Sequence, residues 1–537
     1  GTPVCWKEYR ALFIDGLGAA RSISNLRFFW RSVIYFLVGI TLFFGIASVI
    51  VGPNGDSEAF YMAWPKIIAF TGTLDTMPLY STLGGIEDKP VIDYVSFSQI
   101  GLSSELHFAV LIAMCGASSA TFLVWFVAVS IIFLIVLLCE SFGLGSKAKT
   151  VAVTMLLSTT AFTQIVLGGN VNLLAASYGI ASVYLLILFI KSEGRALLAV
   201  AALLISFSVV AKFSYLVVLL PIVAGILVLK YLYRKASLKE SFINLCRNGF
   251  LMIVVVAACV CPHILKNYEL FGEPFAPFYF FRENSASLLE QKWFSPDITR
   301  HIVMTYPIAL TFGQYPMQGG GLSPLVGIFS PLLFLVRRAQ LPNSFRGNAA
   351  YHLAVVSLIS IIIWVSLRPS VLAPRYILIS LLLLIPAVAM IINQAFESIF
   401  LKSFLIKCIF YFAIISACFL IVVSEVVPRV SHVFKSVTTG SVIPLSPYFQ
   451  ATNYVNEIAT NEDRVYLAGY YSFYLRPDLL AKINGVSDDA YISKSGSMEG
   501  IIEKMKEKGF TYIFVQKAKT SSLLGVQALL PIRSYRD

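Results

Sequence analysis

Long apolar runs, several of them short for a span, recur from residue 32 to residue 424, and no soluble core can absorb them. A helix crosses a bilayer with about 20 apolar residues, within a range of about 17–25. Such runs lie at 32–52, 119–140, 150–168, 172–190, 196–211, 213–230, 248–265, 322–336, 350–367, 374–392 and 404–424. The 196–230 pair is one apolar stretch broken at Lys212. The composition agrees, with 57 % apolar and 13 % charged residues, against roughly 25 % charged in an average soluble domain. The expected fold class is a polytopic α-helical membrane protein of 11 spans.

The net charge of +12 would suggest a nucleic-acid partner in a soluble protein. Here the positive-inside rule accounts for it, because cationic loops stay in the cytoplasm, and no nucleic-acid partner is expected. Cys115, Cys139, Cys259, Cys261, Cys408 and Cys418 sit inside apolar runs, where Cys behaves as a small hydrophobe. There is no Cys-x-x-Cys, no His-Glu-x-x-His and no Walker phosphate loop, and Gly16-Leu17-Gly18 lacks the context of a dinucleotide fingerprint. Neither ATP-driven work nor chemistry at a bound zinc is therefore expected. The first apolar run is long enough to span, so a cleavable signal peptide is not expected either.

The segment 106–117 is apolar but short, in the range of an interfacial or re-entrant piece. Charge parity decides its placement. With 106–117 left out of the spans, the segments 1–31, 141–149, 191–195, 231–247, 337–349 and 393–403, with flanking Lys230 and Lys407, hold 19 Lys and Arg on one side. Counting it as a span would move the 231–247 cluster to the other side. The expected topology is a cytoplasmic N-terminus (1–31), a membrane domain (32–424) and an outer-face tail (425–537). Large outer loops are expected at 53–118 and 266–321, the first with seven acids against Lys66 and Lys89. The tail reads as a small α/β domain: helix Tyr448–Thr460, strand Arg464–Ala468, helix Met498–Lys508 and strand Tyr512–Gln516, with Gly509 as helix stop.

Asn54-Gly55-Asp56-Ser57-Glu58 follows the first span directly, and the apolar-aromatic stretch Ala59–Phe70 follows it. Acids at the end of a span stand where a lipid head group and an aqueous substrate meet. A carboxylate partly screened from water there gains a raised pKa and suits general-base work. Asp56 is also the residue type that caps a helix starting at Ser57. Lys212 is a cation at the edge of two apolar spans with no acid beside it in sequence, which makes function the default hypothesis; snorkelling to lipid head groups is the alternative. Arg375 follows Pro374 at the first turn of a span, and its planar fork of donors suits phosphate; Tyr376 beside it suits an aromatic belt. If Lys212 and Arg375 converge, they form a phosphate site at the outer leaflet. His107 opens the short interfacial helix, where it could orient a phosphate or serve structure alone. The tract from Lys266 through Asn267 and Tyr268 to Phe278, rich in Pro and aromatics, suits a rigid interfacial turn, with Asn267 a candidate sugar or phosphate ligand. The outside acids are scattered, so no metal is implied.

The order of these features resembles the GT-C superfamily of integral membrane glycosyltransferases, the relatives of protein O-mannosyltransferases and the lipid A aminoarabinose transferase. Gly55-Asp56-Ser57-Glu58 is similar to the acidic motif in that family's large first outer loop, and 58–72 and 99–117 are similar to its amphipathic helices. Lys266-Asn267-Tyr268-Glu269-Leu270-Phe271-Gly272-Glu273-Pro274 resembles the "RNY…TGNP" turn of bacterial members, and Pro374-Arg375-Tyr376 resembles their "RY" start of a late span. The stretch Glu507–Val515 resembles a "lGvtYvlv" ending. The chain departs from several members in placing Ser57 between the two acids, and it has no Trp-Trp-Asp tripeptide in the tail, which speaks against the oligosaccharyltransferase branch.

The resemblance implies a sugar donor carried on a polyprenyl monophosphate and an acceptor hydroxyl belonging to a glycan, lipid or protein. It implies Asp56 as base with Glu58 beside it, and Lys212, Arg375, His107 and Tyr376 around the donor phosphate. Asn267 and Tyr268 would face the acceptor or the sugar. It requires no nucleotide and no cofactor. A flippase or transporter would explain the spans and the edge cations but gives no role to the acidic loop or the tail. An O-antigen polymerase or ligase usually carries its large outer loop later in the chain. No Asn-x-Ser/Thr sequon occurs, which favours a bacterial inner membrane.

Overall fold

The computed structural model describes residues 28–53, 57–72, 103–233, 238–271, 320–331, 345–366, 374–397, 404–440, 449–468, 473–480, 510–515 and 529–531, with single positions 274, 333 and 444. It is a bundle of apolar helices. From the N-terminus come α1 (Phe28–Ile50), a π-turn (Ser57–Tyr61), α2 (Ala63–Thr71), α3 (Ser103–Cys115) and α4 (Ala117–Ser141). Next are α5 (Ser146–Leu157), α6 (Thr160–Gly168), α7 (Asn172–Ser192), α8 (Arg195–Ala211), α9 (Tyr215–Tyr233) and α10 (Leu238–Phe271). The second half holds α11 (Pro324–Phe329), α12 (Phe345–Ser366), a 3-10 turn (Pro374–Ile377), α13 (Leu378–Glu397), α14 (Phe404–Ile421), a second π-turn (Val422–Val426) and α15 (Val427–Thr439). The tail carries α16 (Phe449–Ile458), β1 (Val465–Ala468), α17 (Pro477–Leu480), β2 (Tyr512–Val515) and β3 (Leu529–Pro531).

Among the described residues, 7 helices are long and apolar enough to cross a membrane, or 8 if the bent pair α5–α6 counts as one span. The protein is a multi-pass membrane protein. The count falls short of the eleven expected. α8 and the apolar part of α9 form helices but are short, and within 322–336 the described helix is only Pro324–Phe329. The last span also does not stop at residue 424: the helix continues through the π-turn to Thr439.

Contacts between turns sort the helix ends to the two ends of the bundle. Lys191 at the end of α7 donates to the Ser141 carbonyl (2.8 Å), and Lys149 pairs with Glu140 (3.0 Å). The C-terminus of α4 and the start of α5 therefore share one end with the α7–α8 turn. α1 ends at the opposite end, where Tyr61 meets Lys212. The chain leaves α1 and starts α4 at the same end. α3 packs on α2 and α4.

Local chemistry explains the breaks. Ser158 and Thr159 bond back to the Thr154 and Met155 carbonyls, and α5 and α6 meet at 63°. Backbone freed by a break inside a membrane domain needs internal partners. Residues 320–323 supply them: Ala161 N–H donates to Gly321 O (3.0 Å), Gly321 N–H donates to Thr160 Oγ1 (2.7 Å), and Ser158 and Ser323 hydroxyls lie 2.7 Å apart. α7 opens on the Asn170 carboxamide oxygen, which accepts from Asn172 N–H at 3.0 Å. Among the described candidate spans the one over Pro374–Asn393, which contains most of α13, is the most buried, with 89 % of its apolar window inside the protein. Gly179 lets α7 approach it, because a Cβ there would collide with Ile379; small residues permit such contact between membrane helices.

In the tail, β1 and β2 are parallel, with Val465 opposite Tyr512 and Ala468 opposite Val515, and β3 is antiparallel to β2. The third strand was not expected from the sequence. The expected helix Met498–Lys508 lies outside the described residues.

Candidate active site: two cations, three aromatic rings and a buried acid

The π-turn Ser57–Tyr61 closes with Met62 N–H donating to Ser57 O at 2.9 Å, and it ends by presenting Tyr61. α8 stops at Ala211, Lys212 is extended (φ −151°), and Tyr215 N–H donates back to Lys212 O (2.9 Å) to start α9. This break sets the Lys212 ammonium at the bundle end rather than along an apolar helix face. The ammonium donates to Tyr61 Oη at 3.2 Å and lies 4.6 Å from the Tyr376 ring centroid and 5.4 Å from that of Tyr61. The Arg375 guanidinium lies 5.4 Å from the same Tyr376 ring. Trp364 stacks on Tyr376 from α12, at 6.2 Å and 13°.

The turn carrying Arg375 and Tyr376 is fixed from below. Tyr215 Oη donates to the Arg375 carbonyl at 2.9 Å, with the Asn172 carbonyl 3.4 Å away. Asn172 is fully buried, and its carboxamide has no hydrogen-bond partner among the described residues. The two cations predicted from separate parts of the sequence thus share one ring, held by hydrogen bonds and stacking. A dianionic phosphate satisfies such a pair, since it accepts several charge-assisted hydrogen bonds at once.

Glu105 adds an acid that the sequence reading counted only among the loop's charges. It lies in the first turn of α3 at 2 % exposure. Burial pushes its carboxyl up to about 8, against the opposing pull of its own backbone amide and of the Lys212 and Lys266 ammonium groups. It is therefore largely protonated at neutral pH. The available signal was an acid on a short apolar helix, which is itself a functional flag near a membrane. Tyr61 and Tyr215 were also missed; each is three residues beyond a residue that was flagged, Glu58 and Lys212 respectively.

The remaining expected residues fall as follows. Asp56 lies outside the described residues. Glu58 is fully buried at the start of the π-turn, three residues before Tyr61. His107 is not brought to the cluster: it stands exposed on α3, its Nδ1 2.6 Å from the Ser103 carbonyl one turn back. Tyr268 is 59 % exposed, and the Asn267 side chain lies outside the described residues. Of the interfacial turn expected from Lys266 to Phe278, the residues up to Phe271 are helix, because α10 continues that far, and those beyond it other than position 274 lie outside the described residues. Among the described residues no group of three or more His, Cys, Asp or Glu is gathered to hold a metal.

No protein-family model matches this sequence, and no curated protein does. A solved structure shares its fold, and others are matched at lower similarity. The crystal structure of ArnT from Cupriavidus metallidurans bound to undecaprenyl phosphate is similar with a TM-score of 0.57 at 12 % identity, over 93 % of this chain and 96 % of that one. The arabinofuranosyltransferase AftD from Mycobacteria (TM-score 0.49, 13 % identity) is matched over 91 % of this chain and 35 % of its own. The Archaeoglobus fulgidus oligosaccharyltransferase in the apo form (TM-score 0.46, 12 % identity) is matched over 90 % and 70 %. The bundle has the GT-C fold that the sequence resemblance implied.

Proposed function

We propose that this chain is a glycosyltransferase that moves a sugar from a polyprenyl monophosphate carrier to an acceptor hydroxyl at the outer face of a bacterial inner membrane. The observation that carries the reading is the convergence of Lys212 and Arg375 on Tyr376, beside the turn that continues the acidic motif. The fold shared with ArnT, whose crystal structure holds undecaprenyl phosphate, supports the same class of donor. The 19 cations on the opposite side support a cytoplasmic N-terminus and an outer-face tail.

In this mechanism the donor's phosphodiester carries one negative charge and lies between Lys212 and Arg375. Asp56 takes the proton of the acceptor hydroxyl. The hydroxyl oxygen attacks the anomeric carbon from the face opposite the phosphate, and the bond from that carbon to the phosphate oxygen breaks with its electron pair. The configuration inverts. The departing polyprenyl phosphate gains a second charge as the bond breaks, and Lys212 and Arg375 act most strongly at that moment, which lowers the barrier rather than only tightening binding. Tyr61 and Tyr376 hold the ammonium in place. Bond energy resides in the donor, so no nucleotide is needed. Purified Asp56→Asn, assayed for transfer from polyprenyl-phosphate sugars, is expected to be inactive with unchanged expression and detergent behaviour. Normal turnover in that variant would remove Asp56 as the base.

A further inference from the structure

The contact between the tail and the turn after α1 has no role in the chemistry above, yet it bonds to main-chain atoms of Pro53 and Glu58, on the two flanks of residues 54–56. Tyr474 Oη donates to the Pro53 carbonyl at 2.7 Å, on the N-terminal flank of residues 54–56. Phe473 N–H donates to the Glu58 carbonyl at 3.0 Å, on the C-terminal flank. The Lys66 ammonium on α2 donates to the carbonyls of both Phe473 and Leu475, each at 2.7 Å, and lies 5.1 Å from the Phe473 ring. The bonds form a loop: from the turn to the tail, from the tail to α2, and along α2 back to the turn.

The tail side of this contact is braced independently. Asn456 of α16 donates to Tyr474 O and accepts from Arg476 N–H, both at 2.8 Å, and Phe449 meets Tyr474 edge-on at 5.2 Å. The chain is also cut to fit on the other side. Gly52 has φ +72°, and a Cβ there would lie 2.7 Å from Tyr474 Oη, so both its backbone conformation and the approach of the tyrosine require glycine.

We propose that Phe473–Leu475 is a clamp through which the tail positions the acidic turn for transfer, with Tyr474 and Lys66 as positioning residues. The inference rests on the reading of residues 55–58 as the motif that acts on the acceptor. A tail that merely folded beside the membrane domain would need no bonds to main-chain atoms on both sides of one motif. The bonds fix the backbone at Pro53 and at Glu58, and a small misplacement of a reacting group is expensive in rate.

The test compares wild type, Tyr474→Phe, the exposed control Tyr454→Phe and Asp56→Asn, as full-length protein in detergent or nanodiscs. Tyr474→Phe removes one hydroxyl and keeps the ring. Hydrogen exchange of the amides at 57–66 is expected to accelerate by about fivefold to tenfold, the weight of one hydrogen bond, and kcat to fall by about the same factor with donor KM unchanged. Tyr454→Phe matches wild type in both. Unchanged exchange at 57–66 in Tyr474→Phe overturns the clamp. Faster exchange with wild-type kcat overturns its positioning role. If Asp56→Asn transfers normally while Tyr474→Phe shows both losses, the clamp stands and the base assignment falls.

Discussion

The Lys212 ammonium and the Tyr376 ring lie 4.6 Å apart although 164 positions separate them in sequence, and Arg375 reaches the same ring from its own side. A cation over an aromatic face is attracted by the ring's quadrupole. Two cations on one ring repel each other, and an anion between them turns that repulsion into binding energy.

Lys212→Ala and Arg375→Ala are each expected to raise donor KM about tenfold or more, the loss of a charge-assisted hydrogen bond of about 1.5–3 kcal/mol, and to lower kcat as well. Acceptor KM stays near wild type. Initial rates across a matrix of donor and acceptor concentrations give these constants. A larger effect on acceptor KM would remove both residues from the phosphate.

Tyr215→Phe deletes the hydroxyl that holds the Arg375 carbonyl and leaves that carbonyl without its donor. The cost is about 1–3 kcal/mol, felt at the 3-10 turn first. Donor affinity measured by titration with polyprenyl phosphate falls severalfold in this variant, and Lys212→Ala combined with it costs less than the two separate losses added together. Full additivity would show that Tyr215 does not act through the turn.

The cations and the acidic motif were legible in the sequence because each is a polar residue where apolar ones are the rule: Lys212 interrupts a single apolar stretch, and the motif follows the first span at once. Their meeting was not legible, since it depends on how α8, α9 and α13 pack. The first residues of the turn expected from Lys266 are helical for a local reason. The helix-stopping residues are Gly272 and Pro274, and the residues before them carry no stop, so α10 runs on to Phe271. Tyr474 gives no signal at all: one tyrosine in a polar tail looks like any other until its hydroxyl is seen on Pro53.

Glu105 supplies a pH test. Its carboxyl titrates near 4.5 in the unfolded chain and at about 8 in the folded one. Below 4.5 it is protonated in both states, so its contribution is fully present there. Between the two values folding takes up a proton, and stability falls as pH rises by up to roughly 1.4 kcal/mol per pH unit. Glu105→Gln has no such slope. The apparent Tm of the variant minus that of wild type is expected to increase from pH 5 to pH 8 and then level off. A difference independent of pH would show that the carboxyl is already ionised across this range.

Glu425 and Arg429 form a buried ion pair at 2.9 Å where the last span passes α6, with Thr163 beside it. Removing one partner strands the other charge and is expected to cost about 3–5 kcal/mol, whereas a matched apolar pair costs little or stabilises. Thermal unfolding in detergent should therefore rank Glu425→Ala and Arg429→Ala well below Glu425→Leu/Arg429→Met. Single variants as stable as the double one would show that the pair is not desolvated.

Native mass spectrometry of the purified protein with and without Lys212 and Arg375 tests the phosphate site most directly. Wild type is expected to carry a polyprenyl phosphate or polyprenyl-phosphate sugar, or to take up added polyprenyl phosphate, and Lys212→Ala/Arg375→Ala to lose it while keeping ordinary phospholipids. Wild type retaining only ordinary phospholipid after polyprenyl phosphate is added, or a double variant that binds the carrier as well as wild type does, would contradict it.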